Sequence, residues 1–274
     1  MKILIAGAGI FGATCTRVLT EAGHECVVVE ARQHVAGNVY TRWSDEAGCN
    51  VHKYGAHIFH TKRPDVWAFV NRFADFSRYT HRVKAWAEDA VYPLPINLAT
   101  ISRLWDADTP SQMQAVLDYH ARGADEPTNM RDACIAKMGP ELFRLFVAGY
   151  TRKQWGRDAA DLPASLADRV KVRTTFDDQY FDDPYQGIPR SGYTPLIRRM
   201  LECAVTRLGF KVDFEAAHAA LTTGYDRIIY TGAIDEFFGY RLGALEYRSL
   251  RFEHDVVDVD DYQGCAVMNY CDAD

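Results

Sequence analysis

The 274-residue chain has no Cys-x-x-Cys pair and no run of basic residues longer than two. Nor does any apolar stretch approach the roughly 18 residues that a membrane span needs. Each absence narrows the field. The seven cysteines, Cys15, Cys26, Cys49, Cys134, Cys203, Cys265 and Cys271, are odd in number and scattered, which speaks against a disulfide framework and against a zinc site. A reducing compartment, the cytoplasm, is the expected home. With 31 basic against 37 acidic residues the net charge is −6, so the chain lacks the electrostatic footprint of a nucleic-acid binder, although a few local arginines suffice to hold one small anion. The start, MKILIAGAGIFG, is broken by three glycines and lacks the long apolar core and cleavage site of a signal peptide, so no membrane partner is expected. No G-x-S-x-G elbow marks a hydrolase serine, and no internal repeat is present. What is there is an ordinary globular composition, 48% hydrophobic and 25% charged. At about 150 residues per domain, it is enough for about two units.

The clearest local pattern occupies the first 31 residues. An apolar strand, Ile3 to Ala6, leads into Gly7-Ala8-Gly9-Ile10-Phe11-Gly12, then a helical pattern to Glu21, a stop at Gly23, and a second strand from Glu25 ending in Glu30. This is a βαβ dinucleotide-binding fingerprint. Gly7 makes the tight turn, Gly9 lets the backbone approach a pyrophosphate, and Gly12 lets the helix pack close to the strand, with the helix N-terminus facing the phosphates. Glu30, 18 residues after Gly12, sits where a carboxylate accepts hydrogen bonds from a ribose hydroxyl, which favours FAD or NAD over NADP.

Later segments read as an interleaved α/β chain. Helical patterns run from Ser111 to Arg122, Met130 to Met138 and Gly139 to Tyr150, flanked by alternating, aromatic-rich stretches at Tyr79 to Pro93 and Phe176 to Tyr193. Ala164 to Thr175 has weak periodicity and reads as a mobile loop. After Gly192 a helix to Leu208, strands near Phe210 to Phe214 and at Arg227 to Tyr230, and an alternating run from Tyr247 to Phe252 are expected. The expected fold class is α/β. A Rossmann-like dinucleotide domain is built from 1–75 and 190–245, a helical insertion from 96–165, and a small antiparallel sheet domain from 76–95, 166–189 and 246–274.

Three clusters carry chemistry. His52, His57 and His60 are spaced by five and three, which fits neither one strand face nor a helical i,i+4 pair, so no metal is expected; a Gly55-Ala56 kink instead brings backbone close to a planar ligand with His57 beside it. Gly149 to Arg157 places Tyr150, Gln154, Trp155 and cations at a helix end, either as a platform for a nucleobase or as a core aromatic with dipole-favoured cations. Arg169 and Arg173 suit a diphosphate clamp or a solvated basic loop.

Five strings, His52 to Thr61, Gly149 to Arg157, Tyr185-Gln186-Gly187-Ile188-Pro189, Arg227 to Gly232 and Gly243 to Leu250, closely resemble prokaryotic UDP-galactopyranose mutase, and the likeness runs from residue 1 to residue 274. The resemblance implies an FAD enzyme that interconverts UDP-galactopyranose and UDP-galactofuranose, a donor for cell-surface glycans. It also implies reduced FAD, with N5 as the nucleophile toward the anomeric carbon. That accounts for the lack of a protein acid–base pair, since the hard chemistry belongs to the cofactor. By matching position, Tyr150, Thr151, Gln154 and Trp155 line the uridine and sugar pocket, Arg169 closes on the diphosphate with Arg173 sharing or replacing it, and Tyr180 contacts phosphate. His81 takes a sugar-side position where some relatives have Asn. His57 lies beside the flavin ring, Arg248 faces it, and Gly7, Gly9, Ile10, Phe11, Gly12, Glu30, Ala31, Gly37 and Asn38 hold FAD. A homodimer is compatible with the resemblance.

Two departures bear on this. The family's Gly-Gly before Asn is Ala36-Gly37-Asn38 here, and the stretch like Met268-Asn269-Tyr270 is not followed by the family's second diphosphate arginine, paired tyrosines and late glycine-arginine motif. The expectation is reduced turnover of this chain alone, with a further C-terminal portion as a candidate partner. The rival readings are an FAD amine-oxidase-like oxidoreductase and a nucleotide-sugar-binding fragment without turnover.

Overall fold

A computed structural model describes residues 1–121 and 126–272. The chain divides into two compact units, Met1–Tyr79 with Asp183–Val256, and Thr80–Asp182 with Val257–Asp274. In the first unit the chain runs through β1 (Lys2–Ala6), α1 (Ile10–Glu21), β2 (Glu25–Glu30), the hairpin β3 (Thr41–Ser44) and β4 (Cys49–His52), β5 (Phe59–Thr61) and α2 (Pro64–Asn71). The second unit holds β6 (Val83–Ala87), β7 (Ala90–Leu94), α3 (Leu98–Trp105), α4 (Pro110–His120), α5 (Met130–Phe143) and α6 (Gly149–Trp155). The first unit resumes with β8 (Tyr185–Gly187), α7 (Tyr193–Leu201), β9 (Val205–Leu208), α8 (Phe214–Thr222), β10 (Arg227–Tyr230) and α9 (Ile234–Phe237), and β11 (Met268–Tyr270) belongs to the second.

The first unit is organised by a parallel sheet in the order β10-β1-β2-β9, with Ile3 opposite Arg227 and Cys26, and Val27 opposite Val205. Its two inner strands are nearly continuous apolar runs because both faces are covered, as parallel sheets require. Alternation divides the side chains between the faces. Ile3, Ile5, Cys26 and Val28 pack with Leu196, Ile197 and Met200 of α7, and Leu4, Ala6, Val27 and Val29 pack with Val212, Ala220 and Tyr225.

The second unit is mostly helical. Its sheet, β11-β6-β7, turns between β6 and β7 through Glu88 and Asp89, both left-handed, the conformation of a two-residue hairpin turn. Side chains set the helix starts: Asn97 accepts from the amides of Ala99 and Thr100, Thr109 and Gln112 form a capping box, and Asn129 caps α5. Gly139 (φ 83°) breaks α5, a wide π-type turn covers Arg144–Ala148, and Gly156 (φ 60°) stops α6. Met113, Cys134, Met138 and Leu142 are fully buried beneath these helices.

Several sequence expectations change. The helix after Gly192 ends at Leu201 rather than Leu208, because Val205–Leu208 pairs with β2; the strand expected at Phe210 to Phe214 is absent, because Gly209 (φ 77°) ends β9 and Asp213 caps α8. Tyr247 to Phe252 forms no strand. The expected loop at 164–175 begins as a 3₁₀ helix, Ala164–Arg169, and is pinned by Arg173 N–H to Ile96 O (2.9 Å) and Leu98 N–H to Thr175 O (3.1 Å). The expected helix end at Arg122 lies outside the described residues.

Candidate active site

In the first unit the glycine loop, the end of β2 and the Gly37 turn enclose a cavity of about 400 Å³, and the nine positions to which the resemblance gives the holding of FAD, Gly7, Gly9, Ile10, Phe11, Gly12, Glu30, Ala31, Gly37 and Asn38, line it. The glycines serve different ends. A Cβ on Gly12 would collide with the carbonyl oxygen of Gly7, so this glycine is demanded by the contact between α1 and β1. Gly9 is demanded by nothing in the protein: its φ is an ordinary −75°, and the nearest atom to an added Cβ is Gly37 Cα at 3.9 Å. A bare backbone facing the cavity, at the N-terminus of a helix whose cap offers no side chain and whose first turn holds no acid, fits a pyrophosphate.

Glu30 is 7% exposed, and its carboxylate accepts the amides of Ala8 (2.8 Å) and Arg32 (2.9 Å). It thereby ties the glycine loop to the end of β2, and each oxygen keeps a lone pair for a ribose hydroxyl. Sequence reading missed the far wall. Lys211 and Glu236, an ion pair at 2.5 Å, line it with Phe210 and Val212, and 24 residues of chain between the two hid the pairing. The Thr231-Gly232 turn, legible after β10, lines it too.

His57 lies outside this lining. Its Nδ1 is 2.8 Å from Gly55 O and its amide donates to His52 Nδ1 (3.2 Å), so both imidazoles are held by the Gly55 kink. Donation from Nδ1 to a carbonyl leaves Nε2 as an acceptor. Burial, and then the neighbouring His57, hold the His52 imidazole below its ordinary value. His52 also lines a second cleft of about 710 Å³ with Trp43, Asn50, Ser77, Tyr79 and Arg190. Arg248 lies in an exposed stretch without regular structure. Among the described residues no group of three His, Cys, Asp or Glu side chains is placed to hold a metal ion.

The second unit gathers the remaining side chains. On α6 the Gln154 amide donates to Tyr150 OH (3.0 Å), Thr151 is buried, and Tyr150 and Trp155 are half-buried against the helical core. Tyr180 donates its amide to His81 O (2.8 Å), and the buried His81 ring meets Tyr180 edge-on (5.4 Å) and stacks on Phe181 (5.6 Å). Burial pushes the Tyr180 phenol up; the nearby Tyr150 adds to this, while Lys171 and Arg169 oppose it. Tyr150, Tyr180, Lys171 and Arg169 are therefore electrostatic neighbours.

The two clamp candidates part company here. Arg173 is 13% exposed and spends its guanidinium inside the protein on the Asp177 carboxylate (3.2 Å), the Gln179 carbonyl and Asp182. The Arg169 guanidinium makes no hydrogen bond or ion pair among the described residues, which leaves its charge available to an anion. Lys171 and Phe181, unmarked by any motif, join the cluster only through folding.

Known proteins resemble the chain. Residues 145–274 match a family model described as UDP-galactopyranose mutase, and residues 5–73 match an NAD(P)-binding Rossmann-like domain. The whole chain aligns with a dTDP-fucopyranose mutase of Escherichia coli at 40% identity, covering 74% of that protein. The chain belongs to the UDP-galactopyranose mutase family. A probable UDP-galactopyranose mutase of Klebsiella pneumoniae is 37% identical, again over the whole chain and 71% of the relative. A crystal structure of reduced UDP-galactopyranose mutase superposes on 87% of the chain with a TM-score of 0.65 at 19% identity, which shows the shared fold. The chain spans 57% of the length of that solved protein. Among the described residues no helix is long and apolar enough to cross a membrane.

Proposed function

We propose that this protein is an FAD-dependent mutase that interconverts the pyranose and furanose forms of a nucleotide-linked sugar, with UDP-galactose as substrate. The observation that carries this reading is the family match over 145–274, the stretch that contains Tyr150, Trp155, Arg169 and Tyr180, in a chain whose other unit holds a dinucleotide cradle with a bare Gly9. Bound and reduced, FAD supplies the nucleophile that displaces the diphosphate from the anomeric carbon.

The protein's own residues bind and orient. Gly9 and the first turn of α1 take the pyrophosphate of the cofactor, and Glu30 takes its ribose. Trp155 and Tyr150 offer aromatic faces to the nucleobase, with Gln154 fixed by Tyr150 OH. Arg169 balances the diphosphate charge as it leaves and returns. Tyr180, kept protonated at neutral pH, is a donor to a phosphate oxygen. His57 holds its ring through Gly55 O and offers Nε2 as a proton acceptor beside the flavin. The reaction has no net redox change, so reductant is needed to prepare the enzyme and is not consumed by turnover.

A second substrate, dTDP-fucose, is favoured by the 40% identical relative. Both are tested together: the chain is loaded with FAD, reduced anaerobically with dithionite, and given each nucleotide sugar, with products separated by anion-exchange chromatography. Ring-contracted product from one sugar, lost when the flavin is left oxidised, supports the reading and selects the substrate. A folded, flavin-bound, reduced chain that converts neither sinks it. The seven free cysteines fit a reducing compartment, and the cytoplasm is the location we propose.

A further inference from the structure

The segment that carries Arg169 is joined to the segment that carries Tyr180 by an uneven set of charges. Asp182 binds two cations at once, Lys171 (2.5 Å) and Arg173. Arg173 does not depend on it, since the guanidinium also donates to the Asp177 carboxylate, the Asp177 carbonyl and the Gln179 carbonyl. Lys171, by contrast, has Asp182 as its sole hydrogen-bond and ion-pair partner among the described residues. The Lys171 and Asp182 side chains are 43% and 53% exposed, a setting in which an ion pair contributes little. Asp182 follows Tyr180 by two positions, and the ammonium of Lys171 acts on the same phenol as Arg169.

We propose that Lys171 is a second diphosphate-binding cation of the site, held in reserve by Asp182 and released when a nucleoside diphosphate takes the place of that carboxylate. This rests on the reading above, in which the cluster around Arg169 and Tyr180 receives the diphosphate. The exchange is chemically balanced: the incoming diphosphate brings more acceptor oxygens and more negative charge than one carboxylate, and Arg173 keeps its other acceptors while Asp182 turns to water. Arg169 and Lys171 then present two positive charges to the two phosphates. Asp182 tunes affinity by competing with the ligand, which lets a diphosphate that must leave and return do both.

The test measures UDP binding to the full chain by isothermal titration calorimetry, at low and moderate salt, for the parent and for K171A, D182N, K171A/D182N and R169A. K171A is expected to weaken UDP about three- to tenfold, and D182N to tighten it about two- to fivefold; the double variant should lose that gain. The tightening is the discriminating result, since loss of a merely structural ion pair would weaken binding or leave it unchanged. If K171A and D182N both bind within twofold of the parent while R169A binds less tightly, the exchange is wrong and the diphosphate site stands. If D182N weakens UDP, the ion pair is structural and the proposal falls. If the parent chain binds no UDP, both readings fall together.

Discussion

The two units make their binding surfaces from different materials. In the first, the cavity is a backbone feature: Gly9 presents its main chain, α1 its uncapped amides, and even Glu30 spends its carboxylate on the amides of Ala8 and Arg32. In the second, the cluster is made of side chains on α6 and on the segments after it, where Arg169, Lys171 and Arg173 lie within five positions and have three different fates. A backbone site tolerates no added atom but has little charge to lose. A side-chain site tolerates truncation but depends on which counter-ion each cation finds.

The largest effect that tests this contrast comes from two glycines three residues apart. Gly12→Val drives a side chain into the Gly7 carbonyl and should destabilise the first unit by about 3 kcal/mol or more, seen as loss of soluble protein or of cooperative melting. At Gly9 an added Cβ comes no closer to the protein than van der Waals contact with Gly37 Cα (3.9 Å), so in Gly9→Val stability should hold to within about 1 kcal/mol while flavin affinity falls about 100-fold, read from the visible absorbance of the purified chain. Equal flavin content in Gly9→Val and parent would remove the cavity from consideration.

In the side-chain site the order of effects reverses. Arg169→Ala should weaken UDP about tenfold with no loss of thermal stability, because the residue makes no ion pair to lose. Arg173→Ala should lower the melting midpoint, because it removes the half-buried guanidinium that ties together the Asp177 carboxylate, the Gln179 carbonyl and Asp182. Were Arg169→Ala the destabilised variant and Arg173→Ala the weak binder, the assignment of the two arginines would be reversed.

The same contrast governs what the sequence reveals. The fingerprint is legible because backbone demands are written in residue type at fixed spacing: strand, glycines, helix and acid each have one physical task, and Gly7, Gly9, Gly12 and Glu30 meet in one cavity, where Gly37 and Asn38, which only the family resemblance pointed to, join them while His57 and Arg248 do not. The far wall is not legible, because Lys211 reaches Glu236 only after β9 and β10 take their places on either side of the β1–β2 pair. Arg169 and Arg173 look alike in the sequence, and only Asp177, Asp182 and the Gln179 carbonyl separate them. The error at Val205 to Leu208 has a related cause. A four-residue strand after a helix is too short to show its own period, and its pairing with β2 decided the matter.

A smaller effect is expected from pH. His52 accepts the His57 amide through Nδ1, which requires an unprotonated nitrogen, and burial, then the neighbouring His57, hold its folded value below the ordinary histidine range. The unfolded chain therefore binds this proton more readily, so the stability tied to neutral His52 is fully present above about pH 6.5 and is lost as pH falls through the lowered folded value. Parent protein should lose more melting temperature between pH 7 and pH 5 than His52→Asn, by about 2 °C, the asparagine oxygen keeping an acceptor without a titration. Parallel curves for the two proteins would place the acid sensitivity elsewhere.

The smallest effect concerns the departure from the family pattern at Ala36. It is fully buried and left-handed (φ 77°, ψ 0°), a conformation that costs a non-glycine residue about 1 kcal/mol, and its neighbour Gly37 lies against Gly9 across the cavity floor. Ala36→Gly relieves that strain, but removes a buried methyl worth about 0.8 kcal/mol and adds backbone freedom to the unfolded chain worth about 0.5 kcal/mol or more. The terms nearly cancel, so the midpoint should stay within a few degrees and flavin content should not change. A variant that gains flavin affinity without gaining stability would show that the methyl holds the Gly9–Gly37 strip in the wrong place for the cofactor. The backbone site would then be the one carrying a cost in this chain, and the two units would exchange places in the comparison.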